Sequence, residues 1–149
     1  MALAAKVTRT FRGSQDEIDV LLTDSDTYYP GAILAAVSGK AAVAATAQIQ
    51  QILGIFTGEC SDGDRSDAKV IGASNTIKAI LKRGKVYLPH TGAAQTDVGK
   101  LFVNSSDDAM VDAPATAATT YYAYECIGYD SSLGLLFDLR NMISVTNET

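Results

Sequence analysis

The chain has 149 residues, with 12 Lys and Arg against 17 Asp and Glu, a net charge of −5 and a pI near 4.7. That length fits one domain able to bury a core without metal or disulfide staples, and the acidic balance excludes a generic nucleic-acid binder, whose footprint is basic. With no run of 18 apolar residues and no basic leader followed by an apolar stretch, neither a membrane span nor a signal peptide is expected, and the chain reads as a soluble product made in the cytosol.

Residues 1–15 carry Lys6, Arg9 and Arg12 with no acid before Asp16 and little pattern. They read as an N-terminal arm free to lie on a partner, with a single β domain over residues 16–149. Glu17 to Leu22 is a short strand-like run, followed by a polar turn over Thr23 to Thr27. Tyr28-Tyr29-Pro30-Gly31 is a further turn, because Pro presets φ and Gly accepts positive φ. The two apolar runs Ala32 to Val37 and Ala41 to Ala45, joined by Ser38-Gly39-Lys40, read as a hairpin. Alanine content makes a helix over Lys40 to Gln51 the competing assignment. Gln51 to Cys60 has apolar residues in both alternating sets, as in a strand buried on both faces.

A polar loop over Ser61 to Asp67 leads to a short return at Ala68 to Ile71. Thr76 to Pro89 has the clearest pattern in the chain: Ile77, Ala79 and Leu81 alternate, then Val86 and Leu88 alternate with Lys85 and Tyr87. It reads as a hairpin turning at Arg83-Gly84, or as one long strand bent at Gly84, and is short for a helix. Further strands are expected at Lys100 to Val103, Ala109 to Asp112, Tyr121 to Tyr129 and Gly134 to Leu139, with a small-residue connector over Pro114 to Thr120. About eight to ten short strands at turn spacings of roughly eight to twelve residues predict a mainly β fold, a compact barrel, tulip or sandwich. No repeat of 20 to 50 residues suggests a solenoid or propeller.

Chemistry is scarce. His90 is the only histidine, and beside Pro89 it reads as a solvated or capping imidazole rather than a base. Asp62, Asp64 and Asp67 resemble the start of a calcium loop, but Asp67 stands where the turn glycine belongs and Ala73 where the bidentate Glu belongs. Phosphate cradles are absent, and Cys60 and Cys126 read as reduced core thiols. No catalytic residue, metal or cofactor is assigned. The remaining signal is Lys78, Lys82, Arg83 and Lys85, four cations within eight residues and no acid among them. They fit either a docking pole for an acidic surface or lysines guarding a strand edge.

The succession Tyr29-Pro30-Gly31-Ala32, Val37-Ser38-Gly39-Lys40, Ile52-Leu53-Gly54-Ile55, Leu81 to Val86, Asp97-Val98-Gly99-Lys100 to Val103 and Ile127-Gly128-Tyr129-Asp130 with Leu135 to Leu139 resembles the small capsid decoration (cement) proteins of tailed bacteriophages. The resemblance spans roughly residues 28–140. It implies a β-barrel or β-tulip on the outer surface of a mature phage head, bound to the major capsid protein, acting as a homo-oligomer, most often a trimer, with no enzymatic activity, direct nucleic-acid contact or membrane. Lys6, Arg9, Arg12, Lys78, Lys82, Arg83 and Lys85 are then the candidate capsid contacts, and Tyr28, Tyr29, Tyr121 and Tyr122 the candidate oligomer contacts. The alternative is a carbohydrate- or receptor-binding β module of a head fibre or tail, for which these tyrosines and Tyr124 would line an open groove.

Overall fold

The computed structural model describes residues 3–45, 50–63, 67–113 and 120–146. Strand accounts for 59% of the chain and helix for 2%, so the mainly β expectation holds, and the principal sheet is strongly curled into a half-barrel. Among the described residues the strands are β1 (Phe11–Leu21), β2 (Asp26–Tyr28), β3 (Ile33–Val37), β4 (Lys40–Val43), β5 (Ile52–Cys60), β6 (Lys69–Ile71), β7 (Lys78–Leu88), β8 (Leu101–Asn104), β9 (Met110–Asp112), β10 (Thr120–Asp130) and β11 (Gly134–Thr146), with one 3-10 turn at Gln95–Asp97. Nine strands share the main sheet in the order β4-β3-β5-β7-β11-β10-β8-β9, with β1 also on β7; β2 and β6 form a separate pair.

β7 is the hub. It pairs with β1 over most of its length, with β5 through Ala79, Leu81 and Lys82, and with β11 through Lys85 to Leu88. The chain therefore runs straight through Arg83-Gly84 and makes no hairpin there. Gly84 serves close approach instead: a Cβ at this position would lie 3.0 Å from Gln15 Cγ and 3.1 Å from the Ser14 carbonyl oxygen. Three residues of β1 bulge past it, since Arg12 faces Lys85 and Asp16 faces Arg83.

Apolar residues in both alternating sets have the meaning expected for β5, and it extends to β3 and β7. Leu34, Phe56, Ala79 and Leu81 face one core with Leu22, Tyr28, Cys60 and Ile71. Ile33, Ile52, Ile55, Val86 and Leu88 face a second with Phe102, Tyr124, Leu135, Phe137 and Leu139. The three strands form a wall between two packed interiors, which a period-2 pattern with only one apolar face could not do. On the first side the sheet curls until β4 returns to the end of β1, where Leu22 and Ala41 make a parallel bridge and the Thr23 amide donates to the Ala41 carbonyl at 3.0 Å.

Several boundaries move. β3 and β4 form the hairpin rather than a helix from Lys40, while residues 46–49 of the competing helix lie outside the described residues, as does most of the 114–120 connector. Residues 26–28, read as turn, form β2 because Thr27 and Tyr28 pair with Val70 and Lys69. β1 begins at Phe11, so the arm–domain boundary placed after residue 15 falls inside a strand. β11 runs seven residues past Leu139, sustained by pairing of Met142 to Thr146 with Thr120 to Tyr124.

Candidate interaction surfaces

The cations of β7 are not an isolated pole. Register sets Glu17 opposite Lys82 and Asp16 opposite Arg83, with Arg12 opposite Lys85, so β1 lays carboxylates against the cluster that sequence order left unopposed. Lys78 and Lys85 are exposed, whereas Lys82 and Arg83 are half-buried. Lys82 holds its ammonium 5.6 Å from the centroid of the Phe11 ring, a cation–π arrangement. Arg83 lies beside Gly54, where a Cβ would come within 3.1 Å of its Cγ, and its Nε is buried without a hydrogen-bond partner.

The N-terminal segment is a strap on its own domain. The Leu3 amide donates to Asp107 Oδ1 at 2.8 Å, the Val7 amide to the Pro30 carbonyl at 3.0 Å, and the Tyr87 amide to the Thr10 carbonyl at 3.0 Å. Arg9, proposed as a capsid contact, instead turns inward with its side chain 6% exposed. Its Nε donates to the Gly31 carbonyl at 2.8 Å and its Nη2 to Asp108 Oδ1 at 3.0 Å. Burial pulls the guanidinium pKa down and Asp108 pulls it back. Gly31 permits this crossing: its φ is +89°, and a Cβ there would sit 2.2 Å from the Val7 carbonyl oxygen. Lys6 and Arg12 stay exposed; Lys6 pairs with Asp67 at 3.0 Å, and Arg12 rests over the Tyr87 ring at 5.9 Å.

Beside the strap runs an open groove of about 300 Å³, lined by the partly exposed Val7, Phe11 and Pro30 and by Lys82, with the buried Ile55 and Phe56 of β5 beneath. A second hollow, of about 340 Å³, lies on the β10–β11 hairpin around Ile127, Met142 and Ile143, flanked by Glu125 and Arg140. Ile127 and Ile143 are each 39% exposed. The hairpin kinks beside it, since Cys126 faces Phe137 but Tyr124 faces Met142. At the kink Arg140 grips Asp138 through both carboxylate oxygens at 2.9 and 3.0 Å. This grip holds the Asp138 carboxyl below its ordinary pKa.

Two of the four tyrosines assigned as oligomer contacts, Tyr28 and Tyr121, are spent on the core instead. Tyr28 is fully buried and its hydroxyl engages Thr23 and lies 3.4 Å from the Ala41 carbonyl. Tyr121 is buried against Val103 and Ala123. Tyr124 is buried with its hydroxyl bridging the Ile52 amide and carbonyl at 3.1 and 3.3 Å, and burial pushes its pKa up to about 12. Tyr29 and Tyr122 are half-buried. Sequence order alone could not sort them, because a tyrosine in a strand faces core or solvent according to a register that neighbouring strands set.

The other candidates are structural too. His90 Nδ1 lies 3.0 Å from the Met110 carbonyl and the ring packs edge-on against Phe102, which fits the capping reading. Asp67 pairs with Lys6 and Asp62 lies 3.6 Å from Lys69; Asp64 falls outside the described residues. Among the described residues no three His, Cys, Asp or Glu cluster to hold a metal. Cys60 and Cys126 are both buried and are not joined to each other. The missed residues are Asp107, Asp108 and Gly31, which receive the strap, and Ile127 and Ile143 on the hairpin. Local pattern could not reveal Asp107 and Asp108, since their partners Leu3 and Arg9 lie about a hundred residues away. No protein family, curated protein or solved structure matches the chain.

Proposed function

We propose that the protein is a structural virion protein of the decoration type, seated on the exterior of a mature phage head, bound to the major capsid protein and acting as a homotrimer. The observation that supports this most is the presence of two outward-facing, partly apolar hollows that share no residue, the groove beside the strap and the hollow on the β10–β11 hairpin. A cement must touch two things at once, neighbouring capsid subunits or a capsid subunit and another copy of itself, and two separate surfaces on one small rigid domain are the minimum for that. The hairpin hollow, with its exposed isoleucines, takes over the oligomer role first given to the tyrosines. The groove side takes the capsid role, with Lys82 and Lys6 in place of the buried Arg9. Burial of Tyr28, Tyr121 and Tyr124 within the chain takes three of the five tyrosines away from the stacking platform that a carbohydrate-binding module would use.

The test is addition of purified protein to expanded, undecorated phage heads, with sedimentation of the mixture. Saturable, stoichiometric binding that raises the temperature at which heads release DNA is the expected outcome. Heads that neither bind the protein nor gain heat resistance would end the proposal.

A further inference from the structure

We infer that the groove beside the strap is a binding site for a carboxylate-bearing extended segment of a partner protein, with Lys82 as the cation that meets the carboxylate. This deepens the decoration reading by naming the chemistry of the partner. Three cations, Lys6, Arg9 and Lys82, line the groove and no acid does. Two of the three are already engaged: Lys6 with Asp67 and Arg9 with Asp108. Lys82 is different. Its neighbour in register, Glu17, makes no ion pair with it, and among the described residues no carboxylate stands within salt-bridge reach of its ammonium.

Lys82 instead lies against the Phe11 ring at the groove rim, half-buried, with its stem in the apolar lining. An ammonium held against a ring and without a counter-ion offers an incoming carboxylate a charge-assisted contact. The partly exposed apolar lining of Val7, Phe11 and Pro30 then selects what carries the carboxylate. A free inorganic anion would leave that lining in water, whereas an extended peptide with acidic and aliphatic side chains can cover both. At about 300 Å³, the groove is at the small end of ligand clefts and admits a few side chains rather than a broad face. A groove offering one cation without an ion pair, on a chain of net charge −5, is too little for a nucleic-acid backbone.

The experiment is an NMR titration of the 15N-labelled full chain with acetyl-Gly-Val-Glu-Val-Glu-Val-Gly-amide and with the same peptide carrying Gln for Glu. The expected result is saturable shifts at the amides of Thr8, Ile55, Thr57 and Lys82, with the Gln peptide about tenfold weaker. In Lys82→Met, which keeps the aliphatic stem on Phe11, the preference for Glu over Gln disappears; in Lys85→Met, outside the groove, it persists. Equal affinity for the two peptides, no binding of either, an unchanged preference in Lys82→Met, or shifts spread over Lys40, Lys78 and Lys85 would each overturn the inference. The head assay separates the two proposals. If the unmodified protein and Lys82→Met decorate heads equally, the groove assignment falls and decoration stands. If heads take up neither while the peptide preference holds, decoration falls and the groove stands.

Discussion

Replacing Arg9 by Met distinguishes a strap that belongs to the fold from an arm that belongs to a partner. The guanidinium donates to the Gly31 carbonyl at 2.8 Å and to Asp108 at 3.0 Å, with its side chain 6% exposed. A hydrogen bond to a charged group contributes about 1.5–3 kcal/mol, and removing one partner of a well-buried pair costs about 3–5. Asp108 is 36% exposed, so water can rehydrate it once Arg9 is gone, and the cost falls below that of a well-buried pair, at about 2–3 kcal/mol. For a chain of this size that lowers Tm by roughly 6–9 °C, at about 3 °C per kcal/mol. Lys6→Met is the internal control. Its pair with Asp67 is 61% and 80% exposed, and such pairs contribute only about 0–1 kcal/mol. Urea unfolding of the two variants beside the unmodified protein gives both numbers. The reasoning fails if Arg9→Met unfolds at the same urea concentration as Lys6→Met, because the strap would then contribute nothing to the isolated fold.

Tyr124→Phe should cost about 1–3 kcal/mol by urea unfolding, since it strips the Ile52 amide and carbonyl of their buried partner; in the unmodified protein one tyrosine should resist ionisation to about pH 12 when absorbance is followed against pH. Gly31→Ala should destabilise by at least the roughly 1 kcal/mol of a positive-φ alanine and should expose the strap to protease, because its Cβ meets the Val7 carbonyl at 2.2 Å. Asp138→Asn tests linkage. The folded-state pKa of Asp138 is depressed, chiefly by the Arg140 hydrogen bonds, so its stabilisation is complete above the unfolded value of about 4 and is lost as pH falls through the folded one. The stability gap between unmodified protein and variant should be present at pH 7 and shrink toward zero near pH 2; a gap that grows on acidification would contradict this assignment.

What the sequence carried legibly is local. The alternation through Ile77, Ala79, Leu81, Val86 and Leu88 located the hub strand, and the Ser38-Gly39 turn with φ of +51° and +79° located a hairpin. What it did not carry is pairing. Gly84 reads as a turn in one dimension, yet its lack of a side chain serves a bulge of β1 some seventy residues earlier. Arg9 and Arg12 look alike in an unpatterned segment; only the arrival of Asp108 from the far end of the sheet buries one and leaves the other exposed. β11 outran its expected end because its distal half is apolar on one face only weakly, with stability supplied by β10.

The charge arrangement shows why a basic cluster in an acidic chain is poor evidence for docking when read alone. Lys82 and Arg83 stand opposite Glu17 and Asp16, and Lys85 has Asp138 as its partner in the pairing of β7 with β11. The facing carboxylates temper the apparent pole by proximity alone, since none of Lys78, Lys82, Arg83 and Lys85 closes an ion pair among the described residues. Of the four, only Lys82 lines the groove, with its ammonium against the Phe11 ring, so the functional signal resides in where one cation is placed rather than in the density of charge along the strand.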